Sequence, residues 1–425
     1  MNFNTFLLTL GLNPDDFVDK LIDPIPYKDG FIYELEQKDD DRICPYCNSS
    51  NIYKKEFMDV VVRSNHNNQD IDYIRIRKIR YRCNDCNKTF TKKLKGIDAY
   101  NKIDGKTKRL ILNELFEPNS FSSIAKKYHV TTQTVINIFD DLVKYVPRRS
   151  IPEVLCIDEI HFDDEEDQKY SAVLTDFNNR EIVDIIKSRQ MPYLREYFSS
   201  IPLKEREKTK VFISDMYEAY DTICRQYFPH AIHIIDLFHV ISQLTNAINR
   251  IRVQVMNTKT SKGMVEHNFM KQRWQYFLCR KSKIPNKFYT VKSTGEVIHY
   301  DDLVFRCIKL RFDLWEGYEC LQELFSYSEY FTYEEALNFI ERIIIKLEKT
   351  NNDLLKKVAQ TYRHWRYEIA NGFDKKSRRM KYTNAIAEGL NNQLKTILKN
   401  AYGYHNFERF RKRAMLIMTY KHKGI

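Results

Sequence analysis

The sequence predicts a mixed α/β chain: a strand-rich core interrupted by a long helical insertion and preceded by two small modules. Three observations predict it. Two short apolar runs rich in β-branched residues, Val154 to Phe162 and Lys210 to Asp215, each carry an aspartate, Asp158 inside the first and Asp215 at the C-terminal end of the second. Strand-like and helix-like stretches alternate between about 153 and 254, and a long helical stretch follows. Two C-x-x-C pairs and a pair of short amphipathic helices stand ahead of them. With 425 residues the chain is long enough for two or three domains.

Composition narrows the class. Hydrophobic residues make up 43% and aromatics 13%, enough for real cores. A net charge of +12 and a pI near 9.0 favour a polyanionic partner, nucleic acid first, although the abundance of Lys, Asn and Ile also fits a lysine-rich host. The sequence has no apolar run of 18 residues, so no membrane span is expected. Phe6-Leu7-Leu8 is too short for a signal peptide. Nine cysteines, two C-x-x-C pairs among them, then favour metal over disulfides and a cytoplasmic protein.

Residues 1 to 40 read as a lead-in with a small helix between Phe6 and Phe17, then Pro24 and Pro26. Residues 41–98 read as a zinc ribbon. Cys44-Pro45-Tyr46-Cys47 and Cys83-Asn84-Asp85-Cys86 each form a knuckle that can give two thiolates to one structural Zn²⁺, and the extended stretch Ile71 to Tyr81 can close as a hairpin. Arg75, Arg77, Arg80 and Arg82 decorate that strand, with Lys78 among them and Lys92, Lys93 and Lys95 beyond; alternation would put several on one face, suited to DNA phosphates.

Residues 99–150 read as a helix-turn-helix and a linker. Phe121, Ile124, Ala125 and Tyr128 give the first helix an apolar face. Thr131 or Thr132 caps the second, and Val135, Ile136, Phe139 and Leu142 turn inward. Gln133, Thr134 and Asn137 then face out near the end that reads base edges. His129 stands where such turns often carry glycine. Pro147-Arg148-Arg149 and Pro152 mark the linker.

From residue 151 to 254 the chain reads as a meander of three strands (around Asp158, Tyr170 to Thr175, and Glu181 to Ile186), a helix from Pro192 to Ser199, the Asp215 strand, a helix to Phe228, and a strand at Ala231 to Ile235. Three strands, helix, strand, helix, strand is the order of an RNase H-like fold. Asp158 and Asp215 are 57 positions apart (215 − 158). A third carboxylate, Glu388, lies 173 positions further on (388 − 215), too far for one connection, so residues 255–375 read as an all-α insertion. That stretch carries Trp274, Trp315 and Trp365 and an amphipathic helix around Ala336, Leu337, Ile340, Ile344 and Leu347. Trp274, among Lys271, Arg273 and Arg280, could stack on an unpaired base, but a core position suits a tryptophan better.

Residues 376–425 read as the second part of the core with a basic tail. Ile386, Leu390, Leu394 and Ile397 recur at helical spacing. Asn384, Glu388, Asn391 or Asn392, and Lys395 form a separate polar stripe, richer in amides than a merely solvated face. Lys375, Lys376, Arg378, Arg379 and Lys381 stand just upstream and suit a DNA backbone. Three hard oxygen donors gathered at one sheet end suit Mg²⁺ or Mn²⁺. Asp236 and His239 follow the neighbouring strand and are secondary candidates, with Asn384, Asn391 and Lys395. No Gly-rich phosphate loop is present, so no nucleotide cofactor is expected.

These residues carry a resemblance. Cys156-Ile157-Asp158-Glu159, Ile213-Ser214-Asp215-Met216, Asp236-Leu237-Phe238-His239-Val240, and Asn384 to Lys395 followed by Ala401-Tyr402-Gly403-Tyr404 and Phe407 resemble the ISL-three group of bacterial insertion-sequence DDE transposases, from about Cys44 to Arg413. The resemblance implies an RNase H-like catalytic domain, which in such enzymes can carry a helical insertion. It implies Asp158, Asp215 and Glu388 as ligands of two divalent ions, and double-stranded DNA (element ends and target) as partner. It also implies metal-dependent strand cleavage and strand transfer by a homo-oligomer on DNA, in a bacterial cytoplasm at the nucleoid. The other readings are a regulator that has lost catalysis, and a nuclease that cuts without joining.

Overall fold

The computed structural model describes residues 2–421 except 21–22, 29, 40–42, 68–69, 95–96, 98–102, 163–168, 259–263, 292–294, 327–330, 375–381, 383–384 and 402–405. Lys95, Lys375, Lys376, Arg378, Arg379, Lys381, Asn384 and Tyr402 to Tyr404 therefore lie outside the described residues. The chain divides into two units, Met1–Pro147 with Thr396–Ile425, and Arg148–Lys395.

The first unit begins with helix α1 (Phe3–Thr9), capped by the Asn2 side chain. Five strands make one sheet: β1 (Ile25–Tyr27), β2 (Gly30–Glu36), β3 (Ile52–Asn67), β4 (Asp70–Cys83) and β5 (Thr89–Thr91). The long β3/β4 hairpin is antiparallel, β2 adds parallel to β4, and β1 pairs with β2 at the edge. Strands β1 and β2 are absent from the sequence reading. Pro26 hides β1, because proline is tolerated only at a sheet edge, which is where it sits. Tyr73, Ile74, Ile76, Ile79 and Tyr81 of β4 are buried.

Three helices follow: α2 (Gly105–Leu115), α3 (Phe121–Lys127) and α4 (Thr132–Leu142). Asp104 is fully buried; it caps α2 through the Thr107 N–H at 2.8 Å and accepts from Ser64 of β3. Thr131 caps α4, as expected. His129, between α3 and α4, has φ +52°, the left-handed conformation that glycine adopts without penalty. Val135, Ile138 and Phe139 form the inner face of α4, so Ile138 takes the core position expected of Ile136, which is half-buried.

The second unit holds the strands β6 (Val154–His161), β7 (Tyr170–Asp176), β8 (Glu181–Ile186), β9 (Val211–Ser214) and β10 (Ile232–Ile235). Their order is β10-β9-β6-β7-β8, with β10, β9 and β6 parallel and β7 and β8 antiparallel. Helices α5 (Met191–Ser199), α6 (Leu203–Arg206) and α7 (Glu218–Tyr227) connect them. Leu155, Ile157, Leu174 and Phe212 pack with Leu194 and Phe198 of α5 and with Tyr220 and Ile223 of α7 on one face of the sheet.

After β10 come α8 (Leu237–Met256), α9 (Val265–Gln272), a two-stranded hairpin of β11 (Phe288–Thr290) and β12 (Val297–His299), then α10 (Tyr300–Ile308), α11 (Phe312–Phe325), α12 (Tyr333–Lys349), α13 (Asp353–His364) and α14 (Arg366–Phe373). Helix α12 has a capping box between Thr332 and Glu335. The insertion is thus not all-α. Nor is it a separate body: one hydrophobic cluster runs from Ile235 through α8 to Phe373. Trp365 belongs to that core at 4% exposure, whereas Trp274, read as a core residue, is 43% exposed.

Helix α15 (Ala385–Asn400) closes the other face of the sheet, where Ala387 and Ile386 pack on Val154, Cys156, Val211, Ile213 and Ile234. The division of the chain into its two units falls within this helix, at Lys395/Thr396. The last helix, α16 (Phe407–Lys421), joins the first unit: Arg409 forms a bidentate pair with Asp140 (3.0 and 2.7 Å), and buried Arg413 donates to the Glu117 and Asn119 carbonyls over the Phe121 ring.

Candidate active site

The parallel register builds the site. Val154 stands beside Val211 and Cys156 beside Ile213, a constant offset of 57. Asp158 and Asp215 have the same offset, so they occupy one rung and one face. Ile235 likewise stands beside Ser214, which puts Asp236 on that rung one strand further out. Asp236 is 2% exposed and caps α8 through the Phe238 N–H at 3.4 Å. The cap fixes the first turn of α8, which carries His239.

Asp158, Asp215 and His239 bring one ligand atom each to within 4.8 Å of one another. His239 Nε2 lies 2.7 Å from Asp215 Oδ1. Burial, and next the Asp215 charge, push the Asp158 carboxyl up to about 6. Burial would lower His239, but the Asp215 contact and the surrounding carboxylates outweigh it and hold the imidazole above its usual value. From α15, Asn391 donates its amide to Asp158 Oδ2 at 2.8 Å and is 3% exposed. Glu388 precedes Asn391 by three positions and so shares its side of the helix, but it is in none of the described groups whose ligand atoms lie within 4.8 Å. Lys395, one turn beyond Asn391, is exposed.

The donor set fits a hard divalent cation. Asn391 Oδ1 is a buried oxygen acceptor with no hydrogen-bond donor, and buried Asp215 Oδ1 has His239 Nε2 beside it. One orphaned amide oxygen beside two carboxylates and an imidazole suits a positive centre. Asp158 and Asp215 are the residues that would hold it.

In the first unit, Cys44, Cys47, Cys83 and Cys86 also gather within 4.8 Å. The two knuckles match: Asn48 (φ +56°) and Asn87 (φ +59°) each follow the second cysteine in the left-handed conformation. The Cys44 N–H donates to the Ser49 carbonyl and the Cys83 N–H to the Lys88 carbonyl. Burial raises the Cys44 thiol, but backbone N–H groups of Tyr46 and Cys47 bring it down to about 7, and the Cys86 N–H lowers Cys83. Cys47 moves the other way, up to about 12, as its cysteine neighbours share the same protons; what suits a closed zinc site is four thiols within reach of one ion.

Strand alternation divides the arginines of β4. Arg75 and Arg77 share one face and Arg80 and Arg82 the other. Arg75 pairs with Glu34, Arg80 with Glu56 at 3.0 Å, Arg77 lies over the Phe57 ring, and Arg82 reaches Asn87. On α4, Gln133 and Asn137 are exposed and bonded to each other at 2.7 Å, and Thr134 is half-buried.

Two features escaped the sequence reading. Arg189 donates to both carboxylate oxygens of Glu159 (2.7 and 2.6 Å) and stacks on the rings of Tyr170 and Tyr217. Buried His233 joins Ser214 (2.8 Å) to Asp221 (3.3 Å), and Ser214 donates to the Asp215 carbonyl, so the strand end that carries Asp215 is braced from behind. Arg225 pairs with both Asp221 and Glu368 beside His233 and so supplies the positive charge there. A single sequence offers a signal for neither.

Among the described residues, no helix is long and apolar enough to cross a membrane. Residues 155–414 match the ISL3 type of DDE transposase, a family described as transposase. The transposase for insertion sequence element IS1001 of Bordetella parapertussis is 22% identical over 341 residues, 79% of each chain. The match covers more than half of the chain, from the strand that bears Asp158 to the helix beyond Glu388, and on it this protein belongs to the ISL3 family of DDE transposases.

Proposed function

We propose that this transposase binds the ends of its insertion sequence and cuts and joins DNA strands at Asp158, Asp215 and Glu388. The observation that carries the reading is the rung that sets Asp158 beside Asp215, with ligand atoms of both and of His239 within 4.8 Å of one another. A bound pair of Mg²⁺ or Mn²⁺ supplies a nucleophile at neutral pH and charge stabilisation for in-line displacement at phosphorus. Asp158 and Asp215 on the RNase H-like sheet would hold the ions, with Glu388 of α15 as the third carboxylate. Asn391 keeps Asp158 in place through its amide. His239 orients Asp215 and offers a proton donor beside it.

The first unit reads the element ends. The four cysteines hold zinc, α3 and α4 act as a helix-turn-helix, and Gln133, Thr134 and Asn137 meet base edges. Arg75, Arg77, Arg80 and Arg82 contact phosphates, as do Lys375, Lys376, Arg378 and Arg379, and the chain works as a homo-oligomer on DNA.

The test is strand transfer from a pre-cut element end into plasmid DNA. Asp158→Asn, Asp215→Asn and Glu388→Gln should each abolish cutting and joining while end binding stays within about twofold. Full activity of Glu388→Gln would remove that residue from the set. Cutting without joining by the wild type would leave a nuclease.

A further inference from the structure

A cleft of about 510 Å³ opens beside Asp215 and His239. Its near wall is Arg189, Glu159, Met216 and Tyr217, and its far wall is α8 and α13. His239, Gln243, Asn246 and Arg250 recur along α8 at intervals of three or four, which aligns them on one face toward the cleft. Lys357 and Thr361 of α13 do the same from the insertion.

The charges are unbalanced. The acids in the lining are Asp215, at the proposed metal site, and Glu159, which Arg189 neutralises. Arg250 and Lys357 are exposed and have no carboxylate partner among the described residues. Around them stand neutral donors, Gln243, Asn246 and Thr361. Arg189 is held by a carboxylate and two tyrosine rings, so its free N–H groups are pre-oriented at little entropic cost. Two unpaired cations, one fixed guanidinium and amide donors suit the phosphodiester backbone, which such groups position without reading sequence.

We infer that this cleft seats the backbone of the DNA strand next to the scissile bond, with Arg250 and Lys357 as its phosphate contacts and Arg189 as the fixed donor. The inserted helices then form one wall of the substrate site. The inference rests on the reading of Asp158 and Asp215 as the cutting centre.

The experiment uses the full chain and a fluorescent duplex that spans the element end and its flank. Affinity is measured in Ca²⁺ across a salt series, and cleavage in Mg²⁺. Arg250→Ala/Lys357→Ala should weaken binding about tenfold, and the slope of log K against log salt should become shallower by about 1.4 to 1.8, two contacts at ~0.7 to 0.9 each. Both residues are exposed, so the melting temperature should hold, and Arg250→Lys/Lys357→Arg should restore binding. Methylphosphonates at phosphates flanking the cut should weaken the wild type but add nothing to the double alanine variant, because both changes remove the same contacts. Additive effects, or an unchanged slope, would overturn the proposal. A wild type that binds in this pattern but never cuts would instead defeat the catalytic reading and leave the cleft as a binding site.

Discussion

Asn391 donates its side-chain amide to Asp158 Oδ2 at 2.8 Å, across 233 positions of sequence. The contact joins α15 to β6. Groups that orient a metal ligand in this way are typically worth 10- to 100-fold in metal affinity or activity. Asn391→Ala should raise the Mg²⁺ concentration for half-maximal cleavage by about that factor, with little change in DNA affinity. An unchanged Mg²⁺ titration would show that the contact is only packing.

Asp158 is a charge the fold holds at a cost. Its carboxyl is raised to about 6 by burial and then by Asp215, so in metal-free protein the ionised form is disfavoured. A folded value above the unfolded one binds the proton more tightly in the native state, so stability falls as pH rises from about 4 toward 6. At pH 7 in EDTA, Asp158→Asn should therefore melt above the wild type. Added Mg²⁺ should raise the wild-type melting temperature and leave the variant's unchanged.

The cysteine cluster should be structural. Zinc should co-purify at one ion per chain, and a chelator should unfold the β3/β4 hairpin end while leaving the Arg148–Lys395 unit folded. Cys83→Ser should lose the ion and bind element DNA poorly. Retention of full end binding after removal of all zinc would refute this.

Glu205 gives a second pH dependence with the opposite sign. It accepts two bonds from Arg148 (2.7 and 2.8 Å) and one from the Ile151 N–H, and the Arg148 bonds above all hold it near 2. The stabilisation is complete above the unfolded value of about 4.5 and is lost as pH falls toward 2. Glu205→Gln should unfold at lower urea than the wild type at pH 7, and the two midpoints should converge near pH 2.

The strand-borne part of this site was legible because distance in sequence became register in space. The interval between Asp158 and Asp215 is the same 57 that relates Val154 to Val211. The helix stripe of α15 was legible for a similar reason: Leu390, Leu394 and Ile397 are buried where the 3.6-residue repeat puts them. What was hidden depends on contacts between distant segments. Nothing near Lys357 says that it faces Arg250, and nothing near Arg189 says that Glu159 and two tyrosines hold it. The basic residues of β4 divide where the run changes parity: Arg77 to Arg80 spans three positions, so Arg75 and Arg77 share one face and Arg80 and Arg82 the other.

Helix α16 sets an order on synthesis. Its Arg413 is buried against the Glu117 and Asn119 carbonyls, and Leu416 packs on the cluster of Ile111, Ile124 and Phe139. The ribosome makes that helix after the whole Arg148–Lys395 unit. The module proposed to recognise the element ends is therefore finished only after that unit has been made. A product terminated early would leave the apolar cluster uncovered, and it would not accumulate as a competing binder with no enzyme attached.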